Sequence, residues 1–115
     1  MNHRDKTICE KIAGYCEEIS STHKSFDNNK NLFFDDNDGF IYRNAVAMPI
    51  LQIGELAKSF SNEFVSDCKE IPWRQIRGMR DILAHQYGKL DKEMLWNTSH
   101  EDITELRYSL SHLLG

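Results

Sequence analysis

Wherever apolar residues recur in this 115-residue chain they do so at steps of three and four, and nowhere in the alternation of a half-buried strand. From Asn2 to about Phe26, Ile8, Ile12, Tyr15, Cys16 and Ile19 form one stripe along a helix. A long second helix is predicted to begin near Asp38 or Gly39 and reach about Phe64. Ala45, Met48, Leu51, Gln52, Glu55, Leu56 and Phe60 are helically spaced along it, and Pro49 marks a kink or split. Pro72 stands where a first helical residue tolerates a missing N–H and opens a third helix through about Tyr87, stopped by Gly88. Asp91 caps a short helix over Lys92–Asn97, and Ser99 with Asp102 marks the start of a last helix through Leu113. The pattern predicts an all-α fold: an antiparallel helical bundle of four to five helices in a single domain spanning residues 1–115.

Several function classes are excluded at this level. The stretch "DNNKNLFFDDNDGF" is a connector rich in turn-forming residues, with a short turn around Leu32 to Phe34. With Gly39 as position six of a calcium loop, Phe34 and Ala45 fall at positions one and twelve, where acidic ligands belong, so it is not read as one. His3, His23, His85, His100 and His112 are dispersed without zinc-site spacing, and no metal or cofactor is expected. Cys9, Cys16 and Cys68 are an odd number, so they are read as buried thiols and not as a disulfide framework. The longest uncharged run, Asn44 to Gly54, falls short of the roughly 20 apolar residues of a membrane span. The start "MNHRDKTICEKI" has no apolar signal core, so the expectation is a cytoplasmic protein with no membrane partner.

Charge is unevenly spread. Between Lys69 and Lys92 six basic residues face three acidic ones, a balance of +3 that leaves −7 for the rest of a chain whose net charge is −4. Such a patch attracts a phosphate backbone locally, although a solvated helix face is the commoner meaning of such charge. Within it, Trp73, Ile76, Met79, Leu83 and Tyr87 share one face of the third helix, and Arg80 falls among them. A guanidinium there needs a partner, either a carboxylate such as Glu55 or a place where subunits meet. Arg74, Arg77, Asp81 and His85 take the polar flank, where Arg77 with Asp81 and Asp81 with His85 are four-residue pairs that can touch. Arg80 and His85 lie five residues and roughly 140° apart around a straight helix, so unless the helix unwinds before His85 they do not converge within one chain. Two copies facing each other across a two-fold axis would bring them together.

The run "RDILAHQY" resembles the Arg-x(4 to 6)-His signature of the HEPN helical superfamily, and more closely the HepT-like toxins, whose motif continues as His-x-Tyr. The segments "ILQIGELAKSFSNEF", "IPWRQIRGMRD" and "KLDKEMLW" are similar to that family in order and spacing, over about residues 44–114. The resemblance implies a HEPN-like homodimer acting as a metal-independent ribonuclease, with the motif helices of both subunits lining a cleft. Arg80 and His85 are then the catalytic pair, with Arg74, Arg77 and Asp81 supporting RNA. Asp81 stands where relatives often carry Asn and adds negative charge near a phosphate. The resemblance further implies a toxin–antitoxin pair in which a cognate minimal nucleotidyltransferase, the antitoxin, silences the toxin by AMPylation of Tyr87. The alternative class is a non-catalytic helical binding module that partners a nucleotidyltransferase or binds nucleic acid, with Arg80 as an interface ion-pair residue.

Overall fold

A computed structural model describes residues 1–89 and 91–115. In chain order its helices are α1 (His3–Ser25), α2 (Lys30–Phe34), α3 (Phe40–Ala57), α4 (Asn62–Asp67), α5 (Trp73–His85), α6 (Lys92–Asn97) and α7 (Ile103–Leu114). A 3₁₀ turn covers Tyr87–Lys89 and a π-helical turn Thr98–Asp102. The fold is all-α: α1 lies against α3 and α7, and α3 carries α5 on its other side. No helix among the described residues is long and apolar enough to cross a membrane.

The bundle is divided more finely than the four to five helices expected, and each extra break has a local cause. The second predicted helix does not run to Phe64; it ends at Ala57 and restarts as α4. Ser61 is responsible. Its Oγ accepts from Phe64 N (3.1 Å) as an N-cap and donates to Asp5 Oδ2 (2.6 Å), while its own N–H donates to Asp5 Oδ1 (3.0 Å). Asp5 is a buried carboxylate on α1, and these two hydrogen bonds compensate its desolvation. Pro49 does not split α3, which is one helix on both sides of it. The Asn-rich connector holds a true helix, α2, because Asn29 Oδ1 accepts from Leu32 N (3.0 Å) and Phe33 is fully buried. Asp27 and Asn28 take left-handed backbone (φ 54° and 50°) to turn the chain out of α1, a conformation that short polar side chains tolerate.

The core is a continuous apolar cluster from all four long helices, including Ile12, Ile19, Val46, Ile53, Leu106 and Leu110. Cys9, Cys16 and Cys68 are buried and free. Burial pushes the thiols up, Cys9 to about 11 and Cys16 to about 12, so they stay protonated. One polar network crosses this core. His23 on α1 places Nδ1 2.5 Å from Tyr42 Oη on α3 and Nε2 2.9 Å from Ser99 Oγ. Ser99 therefore does not cap a last helix as expected. Its hydroxyl is buried and donates to Trp96 O (2.9 Å), and backbone from Asn97 to Ile103 stays helical, so α6 passes through the π turn into α7. His100, distant from His23 in sequence, sets its ring 3.8 Å from that of His23. Its nitrogens lie against Trp96 O (2.9 Å) and Asn28 Oδ1 (2.8 Å).

Candidate functional site

The six residues singled out from the sequence all belong to α5 or the turn after it, and α3 decides how they are presented. Pro72 is the N-cap, not the first helical residue; its carbonyl accepts the first bond, from Ile76 N (3.1 Å). Trp73 anchors the start by donating from its indole Nε1 to Cys68 O (3.0 Å). Trp73, Ile76, Met79 and Leu83 are buried on the face the periodicity predicts. Tyr87 is not part of that face. The α-helix ends at His85, and in the following 3₁₀ turn Tyr87 is 41% exposed, with its hydroxyl donating to Asn44 Oδ1 on α3. Partial burial raises its pKa, with Arg43 acting weakly the other way, so the group is a neutral phenol.

Arg80 lies on the flank between α5 and α3 with its side chain 18% exposed. Its Nε donates to Glu55 Oε1 on α3 and its Nη1 to Asp81 Oδ1 (2.9 Å). The carboxylate partner expected at Glu55 is therefore present. The expected Arg77–Asp81 and Asp81–His85 contacts are not made; Asp81 turns to its neighbour Arg80, and Arg77 Nε donates to Trp73 O (3.4 Å). The Arg80 hydrogen bond holds the Asp81 carboxyl below the usual range, and His85 adds a weaker attraction through space. Arg74 and Arg77 are exposed and line a shallow groove with Lys69, Glu70 and Pro72. His85 is exposed at the last helical position.

Since α5 is regular α-helix from Arg80 to His85, the roughly 140° offset between them holds within one chain. One chain presents a guanidinium toward α3 and an imidazole on another side of the helix. Near Tyr87, Asn44, Ala47, Met48, Leu51 and Leu83 line a mostly apolar hollow of about 320 Å³. Ile41 and Met48, 60% and 57% exposed, extend this uncovered face along α3.

Sequence reasoning missed two residues of this site. Asn44 receives the Tyr87 hydroxyl, and no local pattern announces it. Gly54 was legible in principle, because glycine inside a helix costs about 1 kcal/mol and often marks close approach of another element. A Cβ at Gly54 would stand 2.2 Å from Arg80 Cβ and 2.7 Å from its Cγ.

The family model described as "Ribonuclease HepT-like" matches residues 6–113. Among curated proteins the chain is 43% identical over 63 residues to one named "Probable ribonuclease HepT" from Thermococcus cleftensis, covering 55% of this chain and 57% of the relative. A protein of Caldanaerobacter subterraneus with a provisional RNase name is 36% identical over 62 residues, 54% of this chain and 55% of the relative. The chain thus spans little more than half the length of these two relatives. A third, from Methanocaldococcus jannaschii and also provisionally named an RNase, is 29% identical over 108 residues, 93% of this chain and 94% of the relative. No solved structure matches the chain.

Proposed function

The chain belongs to the HepT-like ribonuclease family, and we propose that it is a metal-independent ribonuclease whose site is completed by a second copy. The observation that carries this reading is the placement of Arg80 and His85 on one regular helix beside an uncovered apolar face on α3. Burying Ile41, Met48 and Tyr87 against a second copy removes apolar area from water and sets two α5 helices around one axis. Arg80 of one subunit then meets His85 of the other. In the reaction the RNA 2′-oxygen attacks the adjacent phosphorus, the bond from phosphorus to the 5′-oxygen breaks, and a cyclic phosphate and a 5′-hydroxyl result. His85 transfers the proton, the task for which imidazole is suited near neutral pH. Arg80 donates its free N–H groups to the phosphorane oxygens.

Tyr87 is the proposed control point. A cognate minimal nucleotidyltransferase, acting as antitoxin to this toxin, transfers AMP from ATP to its hydroxyl, releasing pyrophosphate. Exposure of the ring, and an oxygen held among the described residues only by the surface residue Asn44, support access by such a partner. An added phosphodiester beside the site opposes RNA binding by charge and bulk.

Purified protein is expected to cleave single-stranded RNA in the presence of EDTA. Arg80→Ala and His85→Ala should each reduce the rate at least 100-fold, with unchanged circular dichroism. Cleavage that survives both substitutions overturns the assignment. With a minimal nucleotidyltransferase of the proposed antitoxin type and ATP, Tyr87 should gain AMP by mass spectrometry and Tyr87→Phe should not. The pairing of Arg80 with two carboxylates favours a second reading, a non-catalytic binding module. Salt-sensitive RNA binding without turnover would identify it.

A further inference from the structure

Arg80 is held by more structure than an exposed arginine needs, and two adjacent residues of α3 supply it. Gly54 leaves the space that the Arg80 stem fills; any side chain there would overlap Arg80 Cβ and Cγ. Glu55, the next residue, receives Nε. The stem's position and the guanidinium's orientation are therefore set from the opposite helix. Lys58 is a minor competitor for the same carboxylate, 3.7 Å away and as exposed as Glu55. Asp81 also binds the guanidinium, but it follows Arg80 directly on the same helix, whereas Glu55 reaches across from α3 and ties the cation to a second element.

Donor bookkeeping gives this arrangement a direction. A guanidinium has five N–H groups: one on Nε and two on each terminal nitrogen. Glu55 takes the Nε donor and Asp81 one donor of Nη1. The two N–H groups of Nη2 and one of Nη1 remain; one of the Nη2 pair shares the Nε–H edge on the Glu55 side, and the other lies on the outer edge of the plane, between the two terminal nitrogens. With Glu55 bound to Nε, rotation of the plane is restrained, and that outer edge is the part left for an incoming anion.

We propose that Glu55 is the positioning residue for Arg80, seated by Gly54, and that it fixes which edge of the guanidinium meets the phosphate of the RNA. The proposal rests on the reading that Arg80 serves RNA cleavage. Glu55 itself touches no reacting atom. Its removal leaves the cation in place but lets it turn, so the loss falls on the chemical step more than on binding.

The test is steady-state cleavage of a fluorogenic single-stranded RNA oligonucleotide by the full chain carrying Glu55→Ala, Glu55→Gln, Glu55→Asp or Arg80→Ala, and by the Glu55→Ala/Arg80→Ala double variant. Glu55→Ala is expected to lower kcat on the order of 10²-fold, the effect of about 1 Å of misplacement, with KM within about twofold. Glu55→Gln keeps an acceptor for Nε and should retain more of kcat than Glu55→Ala. Glu55→Gln also carries the test if the alanine variant does not fold. In the Arg80→Ala background Glu55→Ala should cost nothing further. Wild-type or raised kcat in Glu55→Ala, with Arg80→Ala inactive, overturns the positioning role alone. A further loss in the double variant also overturns it, because Glu55 would then act apart from Arg80. Wild-type cleavage by Arg80→Ala instead overturns the role given to Arg80 in cleavage, and is distinguished by that single variant.

Discussion

Acidification should weaken this fold through one side chain, His23. Ser99 Oγ donates to Trp96 O, so toward His23 it accepts, and the imidazole proton sits on Nε2. Nδ1 then accepts from the Tyr42 hydroxyl. This neutral tautomer satisfies both ring nitrogens, whereas a proton on Nδ1 would remove the acceptor that Tyr42 uses. Burial, reinforced by the adjacent His100, lowers the His23 pKa from 6.5 to about 4. The unfolded chain takes up its proton near the ordinary value and the folded chain only near the lowered one. Between those values the unfolded state binds more protons, so stability falls as pH drops from 6.5 toward 4.

The gap of about 2.5 pH units, at ~1.4 kcal/mol each, corresponds to about 3 kcal/mol, a large part of the 5–15 kcal/mol typical of a domain. Urea unfolding followed by Trp73 and Trp96 fluorescence between pH 7 and pH 4 measures it. Asp36 and Asp81, whose pKa values are lowered by Lys92 and Arg80, lose stabilisation at the acid end, while Asp102, raised by burial, acts in the opposite sense. These contributions are common to wild type and His23→Gln, so the difference between the two proteins isolates the imidazole. His23→Gln should be less stable at pH 7 and should lose most of the slope above pH 4. Parallel stability curves for the two proteins would refute the argument.

Gly54→Ala places a methyl group 2.2 Å from Arg80 Cβ, so despite alanine's better helix propensity it should destabilise by about 1–3 kcal/mol in thermal melts and lower the cleavage rate. Asp81→Asn keeps an acceptor for Arg80 and removes a negative charge beside the phosphate; KM for RNA should fall a few-fold at low salt and return to the wild-type value at high salt. Met48→Asp puts a charge on the exposed face of α3; light scattering should find a monomer that melts like the wild type and does not cleave RNA.

Legibility from the sequence follows the range of the interaction. The stripe of α1, the cap at Asp91, whose Oδ1 accepts from Glu93 N (2.9 Å), and the buried face of α5 rest on neighbours within one helix, and periodicity finds them. The break between α3 and α4 depends on Asp5, 56 residues from Ser61, and no local propensity carries that information. Ser99 reads as a cap until His23, 76 residues away, takes its hydroxyl. At the site, the buried flank of Arg80 and its partner Glu55 were readable because both helices kept their period between Gly54 and Arg80. Tyr87 was misplaced on the core face because the helix was carried two residues too far, past His85, and Asn44 lies on another element.

The offset between Arg80 and His85 permits a test of the shared site by complementation between two inactive variants. If each site takes Arg80 from one subunit and His85 from its partner, a dimer of one Arg80→Ala chain and one His85→Ala chain holds one intact site and one doubly defective site. Random pairing of an equal mixture makes half the dimers mixed, so about a quarter of all sites regain function although both parent proteins are inactive. A site contained within one chain gives no recovery, since every chain in the mixture lacks one of the two groups. The variants are mixed in mild denaturant, diluted to refold, and assayed on the same RNA, with each variant treated alone as control. Recovery near a quarter of the wild-type rate requires the composite site. No recovery, with mixed dimers confirmed by native mass spectrometry, requires instead that α5 unwind before His85 when RNA binds, which is the remaining way one chain can bring the two groups to a common phosphate.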